Sequence, residues 1–78
     1  MPEAFVLLNC DLGSEEKITK ELLAMRGVAS AYKTHGVYDM IIKLDLDSSD
    51  ELRSTIGKIR RIDNVRSSLT MIVAEKPS

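Results

Sequence analysis

The chain opens on a short apolar block, Ala4-Phe5-Val6-Leu7-Leu8, closed by Asn9-Cys10-Asp11-Leu12-Gly13. Such a run sends apolar side chains to both faces, so it predicts a strand covered on both sides. The period then changes. Ile18, Leu22 and Met25 fall at i, i+4 and i+7, the stripe of a helix over residues 14–26. Ser14 stands at the cap position, Glu15 and Glu16 complement the dipole of the first turn, and Gly27 supplies a left-handed stop. Val28 to His35 alternates weakly and predicts a second strand, with Gly36 in a tight turn. In a third strand Met40, Ile42, Leu44 and Leu46 share one face; Asp39, Ile41, Lys43 and Asp45 share the other. Ser48 and Glu51 form a capping-box pair ahead of the helical stripe Leu52, Ile56, Ile59 and Ile62. Gly57 inside that helix costs up to about 1 kcal/mol relative to Ala. Asp63-Asn64 ends it. Val65 to Glu75 is a final strand, with Leu69, Met71 and Val73 opposite Thr70, Ile72 and Ala74. Lys76-Pro77-Ser78 reads as a frayed tail.

A weak internal repeat adds to this. Leu22…Met25-Arg26-Gly27-Val28-Ala29-Ser30 lies over Ile59…Ile62-Asp63-Asn64-Val65-Arg66-Ser67. Two β-α-β halves make an α+β domain of the ferredoxin-like type, β-α-β-β-α-β, spanning residues 1–78. Right-handed crossovers place both helices on one face of a four-stranded antiparallel sheet. The other face is left bare, yet the first and last strands carry apolar residues on both sides. A sheet-to-sheet homodimer covers it, with the layers about 10 Å apart.

Composition agrees. A chain of 78 residues, 44% of them hydrophobic, is one folded domain. A domain of this size buries only about 60% of the surface its unfolded chain exposes, so self-association adds needed stability. A net charge of −1 and a pI near 5.7 are not those of a nucleic-acid binder. Lys58, Arg60 and Arg61 are read as complementing a helix C-terminus. The one cysteine, Cys10, allows no internal disulfide and suits a reducing cytoplasm. It is read as a buried structural thiol. No apolar run approaches the 18 or so residues of a membrane span, and no signal peptide is expected before the first strand.

Catalytic and metal patterns are not expected. With His35 as the single histidine and no Cys-x-x-Cys, a zinc set cannot be assembled from soft ligands; no Ser-His-Asp arrangement is visible, and a single histidine makes a triad hard to support. The four glycines are scattered and form no phosphate loop. Phe5, Tyr32 and Tyr38 lack the strand motif on which RNA bases stack. Asp45, Asp47, Asp50 and Glu51 cluster at a strand-to-helix turn as a solvated cap. No cofactor is expected.

The most informative stretch is Ala31-Tyr32-Lys33-Thr34-His35-Gly36-Val37-Tyr38-Asp39. A turn with Gly, Tyr and Asp offers free N–H groups, a flat ring and one carboxylate, the partners an amino acid needs. Ala-Tyr-x-x-x-Gly-x-Tyr-Asp at 31–39, the strand Met40-Ile41-Ile42-Lys43-Leu44, and Ile59-Arg60-x-Ile62-x-x-Val65-x-Ser67-x-x-Thr70 together resemble the effector-binding (RAM) domain of the Lrp/AsnC, or feast/famine, regulators. The resemblance covers residues 3 to about 75. It implies dimers formed through the sheets, further assembly from tetramer to octamer, and amino-acid effectors held between dimers. Carried over, the ligand-binding residues are His35, Gly36, Val37, Tyr38 and Asp39 in the loop, with Arg66, Ser67, Ser68 and Thr70 on the last strand.

Two departures matter. Full-length relatives carry an N-terminal helix-turn-helix, and the first strand here begins too close to Met1 to leave room for one. The resemblance therefore implies a stand-alone form that does not bind DNA and can join full-length Lrp/AsnC regulators in mixed assemblies. Val37 stands where the family often has an acid, and His35 where a small hydroxyl residue is common, which favours a neutral or apolar amino acid. Two alternatives stay open. One is a small dimeric α+β barrel enzyme, monooxygenase- or isomerase-like, with His35, Tyr32 and Asp39 as its only acid–base candidates. The other is a structural partner domain with no ligand.

Overall fold

Six elements follow one another: β1 (Glu3–Cys10), α1 (Glu15–Leu23), β2 (Val28–Lys33), β3 (Met40–Asp45), α2 (Ser49–Arg60) and β4 (Val65–Ile72). The computed structural model describes residues 2–74. The expected tail at 76–78 and Glu75 lie outside the described residues. The sheet order is β2-β3-β1-β4 and every pairing is antiparallel. This is the ferredoxin-like arrangement that the pattern predicts. The doubly apolar strand β1 is central, paired with β3 on one side and β4 on the other.

Alternation along β1 and β3 builds the core. Ala4, Val6 and Leu8 on β1 and Met40, Ile42 and Leu44 on β3 have no exposed surface. They meet Ile18 and Leu22 of α1 and Leu52, Ile56 and Ile59 of α2 in one cluster. The intervening residues face the other way. There Phe5 stands opposite Met71 and Lys43, and Leu7 opposite Leu69 and Ile41. No described helix covers that face: Leu69, Met71 and Tyr32 are exposed, and Phe5, Leu7 and Ile41 are half-buried.

The two helices end differently from the reading of their stripes. α1 stops at Leu23, before Met25 and Arg26. The Met25 N–H donates to the Leu22 carbonyl, tightening the last turn, and the chain then swings through Gly27 at φ +91°. The Gly27 carbonyl accepts the Asp45 N–H at 2.8 Å and so fastens this turn to the end of β3. α2 repeats the manoeuvre. It ends at Arg60, the Ile62 N–H donates to Ile59, Asn64 takes the left-handed conformation at φ +78°, and the Asn64 carbonyl accepts the Asp11 N–H at 2.9 Å. The weak repeat in the sequence is therefore a repeat of turn geometry.

The caps also differ. Ser48 lies in extended backbone, and its Oγ accepts the Glu51 N–H at 3.1 Å. The Glu51 carboxylate accepts the Asp47 N–H at 3.2 Å, one residue earlier than in the usual capping box. Ser14 does not cap α1. Its backbone is already near helical, at φ −97° and ψ −1°, and its hydroxyl donates to the Asp11 carbonyl. β2 ends at Lys33, two residues before His35, and Thr34 then closes the loop to β3. The Thr34 N–H donates to the Asp39 carbonyl at 2.8 Å and its hydroxyl to the Tyr38 carbonyl at 2.7 Å.

Gly27 and Gly13 separate two effects of adding a methyl group. Both have positive φ, but a Cβ at Gly13 meets open space, whereas one at Gly27 overlaps the Leu46 side chain. Gly13→Ala should cost about 1 kcal/mol in denaturant unfolding from backbone strain alone. Gly27→Ala should cost about 1–3 kcal/mol more, from crowding. Equal costs would mean that Leu46 moves aside freely.

Candidate functional site

β1 ends, β2 ends, β3 starts and β4 starts at one end of the sheet, so the loops 11–14, 34–39 and 61–64 gather there. At this end the β1–β4 register slips. Asn9 pairs with Ser67, but Cys10 pairs with Val65, leaving Arg66 as the extra residue of a bulge. The Arg66 Nε lies 3.7 Å from the Asp11 Oδ1, an exposed contact that contributes little to stability.

Asp39 joins the loop to the bulge. Its Oδ2 accepts the Cys10 N–H at 3.0 Å, and its own N–H donates to the Leu8 carbonyl at 3.0 Å and to the Asn9 Oδ1 at 3.1 Å. Beside this tie lies a cavity of about 450 Å³ lined by Asn9, Cys10, Val37, Arg66 and Ser67. The Asn9 Nδ2 reaches the Ser67 Oγ at 3.4 Å across it. The lining therefore offers a guanidinium, a hydroxyl, an amide and an apolar Val37, and it includes no carboxylate. Burial pushes the Cys10 thiol above its usual pKa; the charges of Asp39, Glu15 and Asp11 push it the same way, against the Ser14 hydroxyl. Both burial and the neighbouring carboxylates disfavour its thiolate form.

Residues 3–78 match the family model of the Lrp/AsnC ligand binding domain. The chain belongs to this family. The crystal structure of FFRP-DM1 is 36% identical, covers 94% of this chain and 99% of its own, and superposes with a TM-score of 0.89. The HTH-type transcriptional regulator FL11 of Pyrococcus furiosus is 30% identical over 70 residues, 90% of this chain but 46% of the regulator. A homocitrate synthase of Saccharolobus islandicus is 33% identical over 75 residues, 95% of this chain and 16% of the enzyme. The chain thus spans less than half the length of these two relatives.

In this Lrp/AsnC domain the nine residues singled out in the sequence divide into groups. Val37, Arg66 and Ser67 line the cavity. His35 and Gly36 are exposed in the loop, where Gly36 takes φ +132° with open space around it. Tyr38 is half-buried, and Asp39 stands behind the cavity wall, bonded to β1. Ser68 and Thr70 lie on the other face of β4, opposite Leu8 and Val6, whose side chains face the helices. Three hydroxyls on one strand cannot all face one ligand when side chains alternate. Asn9 and Cys10, which also line the cavity, are not among these nine. An amide at the end of an otherwise apolar strand was the available signal for Asn9. Among the described residues no three His, Cys, Asp or Glu side chains gather as a metal site, and no helix is long and apolar enough to cross a membrane.

Two predictions follow from Asp39 and Cys10. Asp39→Ala should cost about 1–3 kcal/mol and speed hydrogen exchange at the Cys10 amide; Asp39→Asn, which keeps an acceptor, should restore most of the loss. A raised thiol pKa leaves less thiolate at any given pH. Alkylation of native Cys10 by iodoacetamide at pH 8 should therefore be slower than that of free cysteine, with its rate rising only at more alkaline pH.

Proposed function

We propose that this domain binds a neutral or apolar amino acid at the bulge end of its sheet and assembles through its bare sheet face. It acts on transcription regulators of its own family in the cytoplasm, without contacting DNA and without catalysing a reaction. The observation that carries this reading is the cavity lining. A ligand carboxylate finds the Arg66 guanidinium and the Ser67 hydroxyl, an aliphatic side chain finds Val37, and the lining presents no acid to draw in a basic side chain. Val37 is 83% exposed, so the site is open on one side and a second dimer packed there would close it.

The relatives support a portable regulatory unit. One segment matches part of an HTH-type regulator and part of a homocitrate synthase. A unit common to both is tied to neither activity, and response to a ligand is a role that fits both settings. The barrel-enzyme alternative has less support. Neither the bulge-end cavity nor the one beside Met25 and Lys58 brings together Tyr32, His35 and Asp39, and Asp39 already accepts a backbone bond.

The surface of the sheet supports assembly through it. Phe5, Leu7, Ile41, Leu69 and Met71 form a contiguous apolar face, and Lys43 on that face lies 3.7 Å from Glu3 of the same chain. A second copy of the same face covers it without leaving an unmatched cation there.

Calorimetry with a panel of amino acids tests the ligand. Binding of at least one aliphatic amino acid, weakened about tenfold or more by Arg66→Ala, is expected. No binding by any of them at millimolar concentration overturns the sensing role. Light scattering tests assembly separately: the native chain should be at least a dimer at micromolar concentration, and Leu69→Glu should shift it to monomer.

A further inference from the structure

A second cavity, of about 470 Å³, lies at the opposite end of the domain on the helix side. It is bounded by the turn after α1, the end of β3 and one face of α2. Met25 and Leu46 give it an apolar floor; Ser54, Thr55 and Lys58 line it from α2.

Thr55 is the unusual member. It is 7% exposed and belongs to the buried stripe of α2. In the internal repeat, Thr55 precedes Ile59 as Ile18 precedes Leu22 in α1, and Ile18 is fully buried. A hydroxyl thus stands where the other half of the fold has isoleucine. Helical threonines usually satisfy such a hydroxyl on the carbonyl four residues back. Thr19 does so, donating to the Glu15 carbonyl at 2.7 Å. The Thr55 hydroxyl makes no such bond; it lies against the cavity with no partner among the described residues.

The charges around it favour an anion. The Lys58 ammonium, one turn further along the same helix face, has no ion-pair partner among the described residues. Arg26 bonds the Asp47 Oδ2 at 3.0 Å through one nitrogen, which leaves other guanidinium donors free. Glu51 is the one carboxylate in the lining. It sits a turn before Thr55, and its Oε2 is occupied by the Asp47 N–H.

We infer that the cavity between the end of α1 and α2 is a binding site for a small aliphatic carboxylate, with its oxygens on Lys58 and Thr55 and its carbon chain on Met25 and Leu46. The site is separate from the bulge-end cavity and does not depend on the function proposed for that one.

Titration of the isotope-labelled 78-residue chain with 3-methylbutanoate, followed by amide chemical shifts, tests this. Saturable shifts are expected at residues 24–26, 46 and 54–58, while 34–39 and 66–67 stay in place. The neutral analogue 3-methyl-1-butanol should leave 24–26 and 54–58 unmoved. Lys58→Gln, an exposed change, and Thr55→Val, an isosteric one, should each weaken binding about fivefold or more. No saturable shift at 54–58, shifts confined to the bulge end, equal binding of the alcohol, or unchanged affinity in either variant would overturn the proposal.

Discussion

Two helices can cover only one face of a four-stranded sheet, and the central strand β1 meets that constraint on both sides at once. Its backbone pairs with β3 and β4. Ala4, Val6 and Leu8 go to the helices, and Phe5 and Leu7 go to the bare face. At its end Asn9 and Cys10 slip against β4 and open the cleft that carries the proposed function. Core, bare apolar face and candidate site thus draw on the same eight residues.

The fold was largely legible because it rests on period and punctuation. The stripes in the two helices, the alternation in β3 and the unbroken run in β1 each allow one arrangement, and the repeat of Gly27 at Asn64 marks two equivalent turns. What the pattern could not convey was three-dimensional bookkeeping at the ends. Ser14 looks like Ser48 on paper, but only Ser48 has the extended backbone that lets a side chain reach back to its helix. The stripe of α1 runs on to Met25, which packs on the core from a turn, so burial outlasts helical geometry.

The candidate site was legible only in part. Val37, Arg66 and Ser67 come together from two segments. Ser68 and Thr70 do not join them, because which hydroxyl faces which way depends on a register slip that no local pattern announces. Asp39 resembled a ligand group, yet it holds the Cys10 amide. A carboxylate beside a strand end has a backbone donor within reach before any ligand arrives, and that competition is invisible in a string of letters. Asn9 and Cys10 belong to the cavity through the same slip.

The bulge at Arg66 has one more consequence. Side chains on β4 have a parity: odd positions from Ser67 onward turn to the bare face, even ones to the helices. Ser67, at the cavity, and Leu69 and Met71, on the bare apolar face, share that parity, and the bulge sets its phase. A one-residue insertion between Ser67 and Leu69 would turn Leu69 and Met71 inward and leave polar Thr70 outward, while Ser67 kept its place. Bulge-end cavity and bare face can therefore each be retuned by point substitutions, but a change in length within this strand alters the relation between them at a single stroke.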